Sequence, residues 1–267
     1  MLKKRLIFTL LYNNGTYVLS RNFRLQMVGN LEWLRENYNF DAIAFSIDEL
    51  VVLNVSRDVS DMDIFSQQIL HLSKNYYLPI AAGGGISSID GAYKLLSSNV
   101  DKLVLNSQII EKPELVMLLS KTFGSQCIVA SIDCKKDKEN YYVYIRSGSQ
   151  NTNLMVEEFI KKAEDLGVGE IYLTSMDKDG TGFGYDLDLV ERVAELTKVP
   201  IIVSGGVGKY QHLLDGLKFD CVTGASTANI YNFIVDGLTN ARKYLKKNGI
   251  ELPQWNCNLQ DFYHCLH

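Results

Sequence analysis

Asp133 closes a short apolar run, Cys127–Asp133 (CIVASID), and Asp177 and Asp179 lie in a Gly-rich stretch, SMDKDGTGFGYD (Ser175–Asp186). A carboxylate at a buried strand's end is a candidate general acid or base. The competing reading is structural: a turn former for Asp179, just before Gly180, or a cap on a following helix for Asp133. No clear helix start follows Asp133, which favours chemistry there. Anion binding is the second theme. Leu78–Ser107 (LPIAAGGGISSIDGAYKLLSSNVDKLVLNS) runs from an apolar strand through Gly83–Gly85 to an amphipathic segment and a second strand. Val199–Ser226 (VPIIVSGGVGKYQHLLDGLKFDCVTGAS) repeats that order, with Pro79 and Pro200 121 residues apart. Glycine turns let backbone N–H groups close on an anion, and a following helix N-terminus favours negative charge. Two such turns half a chain apart point to a ligand with two phosphates.

The elements that would hold these groups alternate. Strands are expected at Arg5–Leu11, Glu49–Val55, Pro79–Ala82, Lys102–Asn106, Cys127–Asp133, Glu170–Thr174, Pro200–Ser204 and Cys221–Gly224. Helices are expected at Asn30–Asn37, Ile64–Leu72, Pro113–Phe123, Asn153–Leu166, Leu187–Leu196 and Phe233–Lys247, with a flap at Val18–Phe23 and an added hairpin strand at Tyr141–Arg146. The strands are too far apart for tight hairpins, so a parallel sheet follows. Half-chain repetition favours closure into a (β/α)8 TIM barrel of two similar half-barrels, spanning residues 1–250, with a tail at 251–267 of uncertain structure. An open doubly wound sheet is the rival, but the first strand leads into TLLYNNG, with no GxGxxG.

Four strand starts carry charge: Arg5, Glu49, Lys102 and Glu170, the two glutamates again 121 residues apart. In a barrel these meet at the bottom, as a closed ring of ion pairs on the axis or as ordinary solvated charges.

At 267 residues, 46% hydrophobic and net charge −4, the chain can build a large core and offers no basic footprint for nucleic acid. The five cysteines have no CxxC spacing and read as reduced thiols in a cytoplasmic protein. The start, MLKKRLIFTLL, imitates a signal peptide but lacks a small-residue cleavage site and reads as strand one. No apolar run is long enough to span a membrane. The histidines show no ligand spacing beyond a loose His264-Cys265-His267 cluster, so neither a metal site nor a cofactor is expected.

GSQCIVASIDCKK (Gly124–Lys136), EIYLTSMDKDGTGFGYDLDL (Glu170–Leu189), PIIVSGGVG (Pro200–Gly208), AGGGI and DKLVLNS together resemble the cyclase subunit of imidazole glycerol phosphate synthase, from about Lys4 to Gly249. That family's fold is a (β/α)8 barrel of the ribulose-phosphate-binding type. Its activity joins ammonia from a glutaminase subunit to a phosphoribulosyl aminoimidazole ribonucleotide. The resemblance implies one phosphate grip at Gly85, Asn106 and Ser107. It implies a second at Gly180, Ser204, Gly206, Ala225 and Ser226, with Asp179 beside it as a further substrate-binding residue. It implies an ammonia gate at Arg5, Glu49, Lys102 and Glu170, a glutaminase on the N-terminal face, and a docking aspartate at Asp101. Of the family's two catalytic aspartates one matches Asp133; at the other position stands Leu11. A loop lysine corresponds to Leu19 and a strand-two aspartate to Asn54. Leucine transfers no proton, and a general acid or base contributes about 10²–10⁴-fold. The retained gate with half the cyclase chemistry resembles barrels of surface-polysaccharide and nonulosonate-sugar clusters. There a glutaminase and a sugar amidotransferase act together to form an acetamidino group. Two alternatives stay open: a working cyclase of histidine biosynthesis, and a non-catalytic barrel binding phosphosugars or a partner.

Overall fold

The computed structural model describes residues 3–37, 45–56, 62–74, 78–228 and 237–254. In chain order its elements are β1 (Arg5–Asn13), β2 (Thr16–Arg21), β3 (Arg24–Gly29), α1 (Leu31–Asn37), β4 (Glu49–Asn54), α2 (Met62–Ser73), β5 (Ile80–Gly83), α3 (Ile89–Leu96), β6 (Lys102–Leu105), α4 (Gln108–Glu111) and α5 (Pro113–Phe123). There follow β7 (Ile128–Asp137), β8 (Asn140–Ile145), β9 (Gln150–Met155), α6 (Val156–Asp165), β10 (Glu170–Ser175), α7 (Leu187–Ala194), β11 (Ile201–Ser204), α8 (Tyr210–Leu217), β12 (Val222–Thr227) and α9 (Gly237–Lys247).

Parallel pairing runs β1-β4-β5-β6-β7-β10-β11-β12 and returns to β1, so eight strands close a barrel. The strands carry near-continuous apolar text because both faces are covered. Their outward residues join the helices in one large core. Their inward residues fill the lumen, where Ile7, Val51, Ala81, Val104, Val129, Tyr172 and Ile202 form a separate buried cluster. Gly83 allows β5 to approach β6, since a methyl there would overlap the Val104 carbonyl.

Two additions rise at the C-terminal ends of the strands. After β1 the chain turns at Asn14 and Gly15, both left-handed (φ 45° and 85°), and β2 and β3 form a hairpin. This replaces the short flap expected at Val18–Phe23. The second addition, β8 with β9, pairs antiparallel to the extended end of β7. It takes residues 153–155 from the helix expected at Asn153–Leu166, because Tyr142 pairs with Met155 across the ladder. At the bottom the chain stays packed past residue 250: Leu252 is buried and the Pro253 carbonyl accepts from Arg242. The start of the helix expected at Phe233, and the His264-Cys265-His267 cluster, lie outside the described residues. Among the described residues no helix is long and apolar enough to cross a membrane.

Candidate functional site

The strand ends surround a cavity of about 500 Å³ that brings together Gly85, Asn106, Ser107, Asp133, Asp179 and Ser204. Leu11 and Leu53, register partners on β1 and β4, form an apolar wall of the same cavity. Asn54 also lines it, whereas Leu19 does not.

Asp133 does not end its strand. β7 continues to Asp137 because β8 folds back on it, and Asp133 sits where the strand leaves the barrel, opposite Thr174 on one side and Tyr144 on the other. Its carboxylate is buried, with the Asn106 amide 3.4 Å away as its hydrogen-bond donor among the described residues. Burial, and then the nearby negative charge of Asp179, push this carboxyl up to about 7. Near neutral pH it can therefore give or accept a proton. Asn106 also donates to the Ser131 carbonyl at 3.0 Å, so its amide spans β6 and β7.

Asp179 is engaged by the hairpin. Its Oδ2 accepts from Ser20 Oγ at 2.6 Å and from the Phe23 amide at 3.0 Å, and its carbonyl accepts from the Asn22 amide at 2.9 Å. Gly180 packs beneath this latch, where a methyl would overlap the Ser20 carbonyl. The tip residues Asn22 and Phe23 are both left-handed (φ 49° and 60°). The tight turn places the Phe23 ring at the cavity, against Gly148 of the β8–β9 turn. Sequence reasoning missed both the hairpin tip and this turn, whose Arg146, Ser147 and Ser149 line the cavity.

The first grip is a loop environment. Gly84 and Gly85 are left-handed (φ 101° and 79°), and Ser88 caps α3 by accepting from the Gly91 amide. The second is built differently from the expectation. β12 runs on to Thr227 because its register with β1 continues to Phe8, so Ala225 and Ser226 are fully buried ladder residues and not loop residues. The Ser226 hydroxyl faces the lumen, bonded to Thr9 at 2.7 Å and Tyr172 at 3.0 Å. Ser204 Oγ lies 2.9 Å from the same tyrosine hydroxyl. The Gly206 carbonyl accepts from the Gly184 amide at 2.7 Å, which ties the loops after β10 and β11 together.

At the other end of the lumen the four strand-start charges meet. Arg5 pairs with Glu49 and Glu170, and Lys102 pairs with Glu49 at 3.0 Å and Glu170 at 2.7 Å: a closed cycle of alternating sign. Arg5 also donates to Thr223 Oγ1 at 3.0 Å. Burial works against the Arg5 charge, but the Glu49 and Glu170 carboxylates outweigh it and hold the guanidinium above its ordinary range. Burial likewise opposes the Glu170 charge, and Arg5 and Lys102 reverse it, holding that carboxyl below its ordinary range. Glu49 Oε1 receives no hydrogen bond among the described residues, so its contact with Lys102 is the loosest corner. Asp101, beside Lys102, is exposed, and its carboxylate accepts from the Ile80 amide at 2.8 Å. Between ring and cavity stands Tyr172, two residues above Glu170 on the inward face of β10. That parity was readable in the sequence, and its significance was missed.

A closed (β/α)8 barrel with a proton-active carboxylate in a cavity at the C-terminal strand ends defines the barrel class whose sites lie on that face. Comparison narrows the class. A family described as "Histidine biosynthesis protein" matches residues 34–232. The chain is 40% identical over 256 residues to the "Putative imidazole glycerol phosphate synthase subunit hisF2" of Parasynechococcus marenigrum, covering 96% of this chain and 95% of the relative. It is 36% identical over 255 residues to the imidazole glycerol phosphate synthase subunit HisF of Streptococcus mutans, with 94% and 100% covered. It is also 36% identical over 251 residues to the HisF subunit of Chlorobium limicola, with 94% and 98% covered. The chain belongs to the histidine biosynthesis protein family and is a HisF-like member of it.

Proposed function

We propose that this chain is the synthase-side subunit of a glutamine-dependent amidotransferase. A glutaminase docks on the N-terminal face beside Asp101. Ammonia enters through the ring of Arg5, Glu49, Lys102 and Glu170, rises through the lumen past Tyr172, and meets a phosphorylated small molecule in the upper cavity. The observation that carries this reading is the closed ion-pair cycle at the lower end of the barrel axis whose upper end holds Asp133; the packed side chains of Ile7, Val51, Ala81, Val129 and Ile202 lie between, and ammonia has to pass among them. A ring of alternating charge can part at one corner and re-form, and its loosest corner is Lys102 with Glu49.

Leu11 shapes the chemistry. The upper cavity offers Asp133 for proton transfer, whereas the Asp179 carboxylate is held by Ser20 and Phe23. A ring closure needing two proton-transfer groups is poorly served, and delivery of ammonia to a different acceptor is better served. Amidation of a surface-sugar precursor in the cytoplasm, with a separate sugar amidotransferase completing the acetamidino group, is the acceptor chemistry we favour.

The test is a cyclase assay on the purified chain with the phosphoribulosyl aminoimidazole ribonucleotide substrate and saturating ammonium salt. Near-zero turnover is expected, rising on the order of 10²-fold or more in Leu11→Asp. Robust wild-type turnover would return the chain to imidazole glycerol phosphate synthesis and overturn the sugar reading.

A further inference from the structure

A second cavity, of about 710 Å³, opens on the other side of the β2–β3 hairpin, between its tip, the end of β7 and the start of the loop after β10. Its walls carry Arg21, Arg24 and Lys135. Arg21 and Arg24 are register partners, the last pair before the Asn22-Phe23 turn, so their side chains leave the same face directly opposite each other. The next pair, Ser20 and Leu25, faces the substrate cavity, as strand alternation requires. Like charges placed opposite across a ladder repel. No carboxylate offsets this: neither arginine, nor Lys135, pairs with one among the described residues, and at these exposed positions water and salt screen the repulsion without removing it. Among the described residues the acid on the wall is Asp177, whose Oδ2 accepts from the Lys136 amide at 2.8 Å. In a chain of net charge −4, three cations on the wall of one concavity stand out from the average surface.

We infer that this outer cavity is an anion site that takes a diphosphate group, distinct from the two phosphate grips of the substrate cavity. Two guanidinium forks side by side match the oxygens of adjacent phosphoryl groups, each able to bind in bidentate fashion, and Lys135 supplies a point charge from the facing strand. Bound anion relieves the Arg21–Arg24 repulsion and stiffens the hairpin. Leu25 lines both cavities, so a diphosphate held here lies one side chain away from the substrate cavity. This inference stands whether or not ammonia crosses the barrel, because it concerns anion binding alone.

The probe is inorganic pyrophosphate, titrated calorimetrically into the full chain and into Arg21→Gln/Arg24→Gln. Wild type is expected to bind pyrophosphate with a salt-sensitive component that the double variant weakens about tenfold or more, and Lys135→Gln is expected to weaken the same component. Because loss of binding could reflect loss of the hairpin, thermal melting without anion gives a second reading. Relief of repulsion predicts that Arg24→Gln melts at or above the wild-type temperature and gains less than wild type when pyrophosphate is added. Equal pyrophosphate affinity and equal thermal gain in wild type and double variant would overturn the assignment, as would no pyrophosphate binding to wild type at millimolar concentration.

Discussion

Ser20 on β2 donates its hydroxyl to Asp179, 159 residues further along the chain, at 2.6 Å. The same carboxylate oxygen takes the Phe23 amide, so one acidic side chain holds both the strand and the tip of the hairpin over the cavity. The tip needs holding. A left-handed conformation costs a non-glycine residue about 1–2 kcal/mol, and both Asn22 and Phe23 adopt it.

Asp179→Ala should therefore loosen the hairpin without unfolding the barrel. Hydrogen bonds to a charged group contribute about 1.5–3 kcal/mol, so amide exchange across residues 16–29 should quicken on the order of tenfold or more. Hydrogen-exchange mass spectrometry reads this directly. Unchanged protection of the hairpin, with β1 and β4 equally unchanged, would show that the latch contributes nothing to closure.

The raised Asp133 carboxyl makes stability depend on pH. Its folded-state value is about 7, against an ordinary value of about 3.9 in the unfolded chain. Below about pH 4 both states are protonated and the residue is neutral in its effect. Between about 4 and 7 only the unfolded chain ionises, so stability falls as pH rises, by at most about 4 kcal/mol, and levels off above the folded value. Asp133→Asn removes this dependence. Its stability relative to wild type should rise from pH 4.5 to pH 8, as measured by urea unfolding at both. A difference between the two proteins that is independent of pH would refute the shift.

The charged ring makes the opposite kind of prediction. Arg5→Met leaves two carboxylates, both largely buried, with Lys102 alone. Breaking a buried pair from one side typically costs about 3–5 kcal/mol. Since the ring is shielded from solvent ions, the loss should be similar at low and high salt, whereas a solvated surface pair would be screened. Urea titrations in dilute and concentrated sodium chloride separate the two cases.

The ring was legible because its members open strands, and strand starts share one end of a barrel whatever the details of register. Asp133, Asn106 and Ser107 were legible for the mirror-image reason: they close apolar runs. Legibility failed where a residue's setting depended on distant text. Ser226 read as a loop residue because Gly224 looked like a strand end, yet pairing with β1 carries β12 to Thr227. The β2–β3 hairpin read as a short flap because its stabilising partner, Asp179, lies on another loop. Phe23 carries no local turn signal, since a bulky residue in a left-handed turn position runs against propensity. Residues 153–155 read as the start of a helix because the ladder that claims them, β8 with β9, is antiparallel and peripheral to the barrel pattern.

Tyr172 offers a final test, of whether the lumen is polar by design or merely filled. The residue is buried, and its hydroxyl lies 2.8 Å from Thr9, 2.9 Å from Ser204 and 3.0 Å from Ser226. Burial raises its phenol above the ordinary range, so it remains a neutral donor and acceptor. Tyr172→Phe keeps the ring and removes the hydroxyl. Thr9 and Ser226 still bond each other at 2.7 Å, so the group that loses a partner outright is Ser204. The cost should be about 1–2 kcal/mol. A double-mutant cycle with Ser204→Ala should show a coupling of about 0.5–1.5 kcal/mol, whereas a cycle with Thr9→Val should show less. If the Ser204 cycle gives no coupling, the four hydroxyls do not act as a network and Tyr172 is filler. If it does, the lumen holds a connected polar step between the charged ring and Asp133.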